Sequence, residues 1–258
     1  MKRGGGWLRL HAALVYGFLY APIFLLVILS FNSSRTSTVW KGFTLNWYLR
    51  LFQNRLLWEA VQNSLIIAAA TAVIATALGT AAALALHRRR LPGRLWIEGL
   101  LYVPLVLPDI VLGVGALVLF TALGISLGLG TILAAHVGTS ISYVVLVLRA
   151  RLSDMDERLE EAARDLGATS WQTLRYVTLP LLMPAIVAAV LLSFTLSLDD
   201  FILSFFTAGP GSTTLPLRIY GMLKTGLTPE VNALSTILVL VTGIATTLYL
   251  RLTENRIS

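Results

Sequence analysis

Glu161-Ala162-Ala163-Arg164-Asp165-Leu166-Gly167, running on to Val177-Thr178-Leu179-Pro180, is a polar, helix-forming island in a chain of otherwise almost continuous apolar runs. Leu152, Met155, Leu159, Ala162, Ala163 and Leu166 recur at three- and four-residue steps, which marks one face of an amphipathic helix. Ser153 is placed to cap its start, and Asp154 to Asp156 put acids in the first turn, where the helix dipole favours them. Gly167 is the residue expected where a helix stops in a left-handed cap. Thr169 and Ser170 are placed to cap a second short helix, Trp171 to Thr178, which Pro180 ends or follows as the start of the next span. The stretch therefore predicts two short helices meeting at a glycine corner.

The surroundings of this island call for lipid as solvent. Hydrophobic residues make up 56% of the 258-residue chain and charged residues 13%, about half the charged share of a soluble domain. A chain of this length can bury a large core, but a soluble one needs a charged surface to cover it, and that surface is mostly missing. The formal charge of +7 does not point to nucleic acid, because the basic residues flank apolar runs and form no stripe interleaved with aromatics. Cysteine is absent, which removes a disulfide framework and thiol catalysis.

Six membrane spans are expected, at about 10–31, 61–86, 95–123, 127–148, 181–207 and 233–250, with a long polar loop at 149–179. The fold class is thus all-α, a single polytopic membrane domain over 1–258. The basic start, Met1 to Arg9, with the apolar run after it resembles a signal peptide. That run is about 20 residues long, the length of a bilayer crossing, so it is read as a retained helix. Trp40, Trp47, Tyr48 and Trp58 lie between the first two spans and suit a membrane–water boundary, with a short amphipathic helix around Trp47 to Phe52. Alanine and Gly79 in the second span allow close helix approach. Pro104 and Pro108, one turn apart, predict a kinked or broken third span.

Charge sets orientation. With the N-terminus inside and six crossings, fourteen of the twenty Lys and Arg fall inside, as the positive-inside bias requires. Both termini and the 149–179 loop are then cytoplasmic.

Polar groups at membrane depth are the candidates for function. Asp199 and Asp200 close the apolar run of the fifth span, about 28 Å along the helix from Pro180. Ser193, Ser197, Asp200, Ser204 and Thr207 follow four- and three-residue steps and predict one polar track on a single helix face, with Asp199 beside Thr195. Ser235, Thr242 and Thr246 make a weaker track on the sixth span, and Asp109 follows Pro108 in the third. An unpaired carboxylate in hydrocarbon costs roughly 2.5–3.5 kcal/mol on insertion scales. These acids should therefore line a path for a cationic solute, cap helix ends, or pair with a neighbouring subunit. For Asp109, the competing role is to bond backbone N–H groups freed by the Pro kink.

Other motifs carry less. Gly124-Ile125-Ser126-Leu127-Gly128 fits G-x-S-x-G, but lies between two predicted membrane helices instead of between a strand and a helix. His136 stands alone in the fourth span, where packing or hydrogen bonding outranks metal ligation. No HExxH, Cys/His cluster or GxxxxGK loop occurs. No metal site or other cofactor is expected in this chain, and ATP hydrolysis, if needed, must come from a partner.

Glu161, Ala162, Ala163, Gly167, Leu179 and Pro180 match the EAA-x3-G-x9-I-x-LP signature of ATP-binding-cassette (ABC) importer permeases, with Val177 where the family usually has Ile. Asn63-Ser64-Leu65, Pro104-Leu105-Val106-Leu107-Pro108-Asp109, Leu198-Asp199-Asp200-Phe201 and Thr214-Leu215-Pro216 extend the resemblance over nearly the whole chain. They resemble the second permease subunit of the polyamine (spermidine/putrescine) subgroup. Permeases for aminophosphonates, opines and ferric iron share much of the pattern. The resemblance implies a bacterial inner-membrane permease working by alternating access. It implies as partners an ABC ATPase dimer that binds ATP and Mg, a second homologous permease and an extracytoplasmic solute-binding protein. Glu161, Ala162, Ala163 and Gly167 would form the helix that docks on the ATPase. A secondary transporter should instead show an internal repeat with paired broken helices, and an intramembrane enzyme a catalytic constellation; neither is evident.

Overall fold

The computed structural model describes residues 5–34, 39–88, 92–156, 158–224, 226 and 229–254. Lys2, Arg3, Arg35, Arg89, Arg90 and Arg256, used in the charge comparison, lie outside the described residues, as do the side chains of Arg88 and Thr246. Every named element is a helix, with one isolated antiparallel bridge, Asn32 to Phe43. The order is α1 (Gly5–Leu29), α2 (Asn46–Gln53), α3 (Arg55–Arg88), α4 (Arg94–Val106), α5 (Asp109–Ala122), α6 (Leu129–Ser153) and α7 (Arg158–Asp165). Then follow α8 (Ser170–Thr173), a π-turn (Leu174–Thr178), α9 (Leu179–Asp199), α10 (Ile202–Thr207), α11 (Leu215–Lys224) and α12 (Pro229–Glu254).

Among the described residues four helices are long and apolar enough to cross a membrane, five if α4 and α5 count as one broken span. The apolar part of α12 within the described side chains, Pro229–Ile244, is shorter. The chain divides into two compact units, residues 1–58 with 218–258, and residues 59–217.

In the first unit, α12 packs on α1 and α2. Asn32 organises the connection from α1 to α2. Fully buried, it donates from Nδ2 to the Val39 carbonyl (2.8 Å) and accepts at Oδ1 from the Ser34 and Lys41 N–H groups (3.2 and 3.0 Å). Its carbonyl accepts from Trp47 Nε1 (2.7 Å). Trp47 is therefore buried as an anchor within this unit, while Trp40 and Trp58 are exposed. Asn54 Nδ2 donates to Glu230 Oε1 (3.1 Å), tying the end of α2 to the start of α12. No residue of α1 over Trp7–Leu29 is buried within this chain.

In the second unit α6 and α9 form the centre, with Ala75, Ala83, Val144, Leu148, Leu152, Leu182 and Ala189 buried together. Gly79 lets α3 approach α6, since a Cβ there would lie 2.5 Å from Val144 Cγ1. Small residues serve this purpose in lipid, where hydrocarbon gives helices no reason to associate beyond close fit and polar contacts. Arg149 Nη1 meets Glu98 Oε1 at 3.1 Å, and Arg94 Nε meets the same oxygen at 2.9 Å, fastening α4 to the end of α6.

Several boundaries differ from those read in the sequence. The span predicted over 95–123 is two helices at 115°. Leu107 is extended (ψ 141°) ahead of Pro108, whose ring disfavours a helical residue before it, whereas Pro104 sits inside α4 without ending it. The span predicted over 181–207 stops at Asp199. Asp200 turns extended (ψ 119°) and α10 starts anew. The second and fourth spans, predicted over 61–86 and 127–148, are the longer helices Arg55–Arg88 and Leu129–Ser153, so the loop predicted over 149–179 opens on a helical turn. The sixth, predicted over 233–250, lies inside α12. Ser153 closes α6 by donating to the Arg149 carbonyl (2.9 Å), and it is Asp156 Oδ1 that accepts the Arg158 N–H (3.0 Å) at the start of α7. Of the two roles read for Pro180, it opens the next span, in the first turn of α9, and does not end the helix predicted over Trp171 to Thr178, because the chain runs on as one helical stretch, Ser170–Asp199. Leu179 N–H reaches back five residues to the Leu174 carbonyl. The widened turn lies just before Pro180, which has no N–H to donate.

The Gly79 contact gives a direct test. Gly79→Ala should lower the thermal unfolding midpoint in detergent, by an overpacking cost of about 1–3 kcal/mol. Gly138→Ala, inside α6 with open space at its Cβ position, should leave the midpoint unchanged or raise it.

Candidate functional site

Both helix breaks of the second unit open on one cavity of about 450 Å³. Its lining includes Asp109, Asp199, Asp200, Thr195, Ser197, Thr139, Ser140, Tyr143 and His136, with apolar walls from Pro104, Leu112 and Phe201. Three carboxylates face this space, and no Lys or Arg is among the described lining residues. Among the described residues no group of three His, Asp or Glu is arranged to hold a metal ion.

The acids differ in setting. Asp109 stands in the first turn of α5, exposed, and no side-chain bond caps that helix start. It thus faces the cavity instead of tying up backbone N–H groups. Asp199 is the exposed last residue of α9. A carboxylate in the last turn opposes the helix dipole, at a cost of roughly 0.3–1 kcal/mol, so Asp199 is not there to stabilise its helix. Asp200 is held. Its Oδ1 accepts the Ser204 N–H (2.9 Å), which starts α10, and lies 3.2 Å from His136 Nε2.

His136 is the hub of this end of the unit. It is 2% exposed on α6. Nδ1 lies 2.7 Å from Ser197 Oγ on α9, and Nε2 lies 3.2 Å from Ser204 Oγ on α10. Ser197 Oγ in turn donates to Thr71 Oγ1 on α3 (3.3 Å). With the Ser197 proton so used, Nδ1–H donates to Ser197. Nε2 then carries a proton towards Asp200 in the imidazolium form, or accepts from Ser204 Oγ–H in the neutral form.

The polar track predicted over one helix face is divided by the break at Asp200. Ser197 and Asp200 line the cavity. Ser193 is buried with no hydrogen-bond partner among the described residues, and is not part of the lining. Ser204 and Thr207 are buried on α10, Ser204 on the hub and Thr207 bonded to the Leu203 carbonyl (2.6 Å). Ser235 and Thr242 belong to the other unit, and Thr242 Oγ1 bonds its own helix at Leu238 (2.8 Å). Sequence reasoning did not single out Thr139, Ser140 and Tyr143. The signal was there, since His136, Thr139, Ser140 and Tyr143 repeat at helical spacing on α6.

The motif stretch forms a second feature. α7 has no buried residue. Glu161 and Ala162 are exposed, Ala163 is half-buried, and Leu166 is 90% exposed. Gly167 takes φ +86°, the left-handed conformation expected at the corner. Thr169 and Gln172 bond each other's backbone N–H reciprocally, starting α8. Leu179 is half-buried and Pro180 exposed. The residue that joins α7 to the root of α9 is Glu160, one place before the motif: Thr178 Oγ1 donates to its Oε1 at 2.5 Å. Between the start of α3 and the segment before α11, Asn63 Nδ2 donates to the Gly211 and Thr213 carbonyls (3.3 and 3.0 Å), and Ser64 Oγ accepts the Leu215 N–H (2.8 Å). Two sequence stretches far apart, 63–65 and 214–216, are thereby one structural feature.

Residues 75–258 match the family model described as "Binding-protein-dependent transport system inner membrane component". The chain is 47% identical over 224 residues to the spermidine/putrescine transport system permease protein PotC of Escherichia coli (strain K12), covering 87% of this chain and 85% of the relative. It is 43% identical over 245 residues to the putrescine transport system permease protein PotI of the same organism, covering 92% and 87%. A putative 2-aminoethylphosphonate transport system permease protein, PhnV of Salmonella paratyphi A, is 30% identical over 227 residues, covering 87% and 85%. Among solved structures, a bacterial ABC transporter involved in alginate import superposes with a TM-score of 0.72 at 17% identity over 98% of each chain. The MetNI methionine ABC transporter gives 0.60 at 20% identity over 83% and 97%. At these identities the two structures report the fold alone.

Labelling can check the cavity, since the chain has no native cysteine. A cysteine at position 199 should react with a water-soluble maleimide roughly tenfold or more faster than one at position 193, because thiol reactivity follows access to water. Equal rates would mean that the space beside Asp199 is closed to solvent.

Proposed function

The chain belongs to the family of binding-protein-dependent transport system inner membrane components, and from that membership we propose that it carries polyamines through the pathway lined by Asp109, Asp199, Asp200 and Ser197. It is a permease subunit of an ABC importer of the polyamine family. The observation that carries the solute class is the cavity, where three carboxylates face one space with no lining Lys or Arg. A spermidine or putrescine cation gains there from each carboxylate at short range, and the attraction is stronger than in water because the walls are protein. Matching charge also explains why Asp199, which opposes the dipole of its helix, is present.

An aminophosphonate is the second reading, supported by the 30% identity to the PhnV protein. Its phosphonate group would meet three like charges, with no Lys or Arg among the described lining residues to offset them. The cavity therefore favours a solute bearing only positive charge.

The remaining parts of the proposal concern coupling. A partner ABC ATPase dimer binds and hydrolyses ATP with Mg, since this chain has no phosphate-binding GxxxxGK loop. The exposed face of α7, with Glu161, Ala162 and Leu166, docks on that partner, and Gly167 sets the corner that aims it. Leu179 and Pro180 open the helix that carries the motion inward. A second homologous permease completes the pathway, and an extracytoplasmic binding protein delivers the solute. Six crossings place both termini and α7 in the cytoplasm, in keeping with the bias of basic residues. The 1–258 chain then acts as one permease domain.

The test is uptake of labelled spermidine into vesicles that hold this chain with its partner permease, ATPase and binding protein, with putrescine and 2-aminoethylphosphonate as competitors. ATP-dependent uptake, competed by putrescine and not by the aminophosphonate, is expected. Asp200→Asn should raise KM about tenfold, the equivalent of losing ~1.4 kcal/mol of attraction. ATP-dependent uptake of the aminophosphonate instead would sink the polyamine reading. Gly167→Pro requires φ near −65° where the chain has +86°. It should abolish uptake while ATP hydrolysis continues, and normal uptake at normal protein level would remove Gly167 from the coupling path.

A further inference from the structure

We propose that His136 is a positioning residue for solute recognition: it holds Oδ1 of Asp200 inside the protein so that the other carboxylate oxygen faces the cavity. The inference rests on the reading of Asp200 as a solute-binding carboxylate and adds the group that aims it.

The backbone does not aim Asp200 by itself. The residue lies in the break between α9 and α10, extended at ψ 119°, outside the regular bonding of either helix. Its side chain direction must therefore come from what its oxygens touch. Oδ1 has two partners, the Ser204 N–H and, with the ring in its imidazolium form, the Nε2–H of His136. Oδ2 has no hydrogen-bond or ion-pair partner among the described residues, and Asp200 lines the cavity. The N–H of Ser204 alone leaves the carboxylate free to pivot about a single bond. A second contact at the same oxygen removes that freedom and fixes where Oδ2 points.

The ring is itself fixed. Its Nδ1 edge is held by Ser197, and Ser197 by Thr71. The chain of contacts Thr71–Ser197–His136–Asp200 runs from α3 through α9 and α6 to the break. A ring 2% exposed in an apolar helix is more expensive than an aliphatic residue of similar size, because a buried polar group must find partners to offset its lost hydration. Closing the break needs only a cap, which Asp200 Oδ1 already provides by accepting the Ser204 N–H. The feature left for the histidine to supply is a second, oppositely directed nitrogen that reaches the carboxylate while the first is anchored.

Two substitutions separate this role from packing. His136→Gln places an amide donor near the position of Nε2 and keeps the contact with Asp200. His136→Asn places its polar group near Nδ1, keeps the contact with Ser197 and loses the reach to Asp200. In vesicles containing the complete complex, with labelled spermidine as probe, His136→Asn should raise KM roughly tenfold with Vmax little changed, the effect of losing a hydrogen bond to a charged group. His136→Gln should keep KM within about twofold of the unmodified complex. In an Asp200→Asn background, His136→Asn should raise KM no further, because a residue that acts through another has no separate effect once that one is gone.

Additive KM effects, or Asn and Gln variants that change Vmax alone, would overturn the positioning role while leaving Asp200 as a solute contact. If neither variant assembles with the ATPase, His136 is a core residue and the proposal fails. An unchanged KM in Asp200→Asn, or no spermidine uptake by the unmodified complex, removes the underlying reading and this inference with it.

Discussion

A backbone N–H or C=O that leaves a helix within hydrocarbon finds no water to bond, and each such group costs several kcal/mol unless the protein answers it. The second unit breaks its helices twice at such positions, at Leu107–Pro108 and at Asp200–Phe201, and both breaks border the same cavity. The first break uses Pro108, which has no N–H to satisfy. The second uses Asp200, whose carboxylate takes over the N–H of Ser204. Each break thus carries its own compensation, and each delivers an acid, Asp109 or Asp200, to the cavity wall. The site is a product of how the chain interrupts its helices.

The same constraint explains what could be read from the sequence. The glycine corner was legible, because only a left-handed residue stops a helix that way and Gly167 has φ +86°. The α4–α5 break was legible too, because Pro108 leaves a local mark. The Asp200 break was not. No Pro or Gly stands there, and a run of apolar residues with serines at helical steps reads as one helix until tertiary contacts are known. Carrying the helical period past Asp200 put Ser204 and Thr207 on one face with Ser197, while in the structure they are buried on α10, Ser204 against His136 and Thr207 on the Leu203 carbonyl.

His136 shows the limit from the other side. Its polarity in an apolar span was visible, and hydrogen bonding was the favoured reading. What it bonds could not be seen, since Ser197, Asp200 and Ser204 lie more than sixty residues away, and Asp200 and Ser204 reach it only through the break. Glu160 is a related case. The sequence motif draws attention to Glu161, which is exposed, whereas its neighbour makes the internal link to Thr178. A motif shared for docking on a partner says little about the bond that anchors the docking helix to its own chain.

α9 joins the two features. At one end Thr178, the last residue of the π-turn, is bonded to Glu160 on α7; at the other Ser197 holds His136, and Asp199 and Asp200 end the helix. The 21 residues between span about 31 Å at the α-helical rise, close to the thickness of the hydrocarbon layer. In the proposed importer, a displacement of α7 by the ATPase therefore need not pass through many flexible contacts. It acts on the root of a single helix whose far end carries the acids. A helix bends mainly where its ladder is irregular, and on α9 the irregular turn lies at the root, beside the Glu160 bond. Tilting of α9 about that turn would move Asp199 and Asp200 against Asp109, which stands on a different element. The carboxylates that attract a cation in one arrangement would then be spread in the other, and a carrier needs that difference in affinity between its two states.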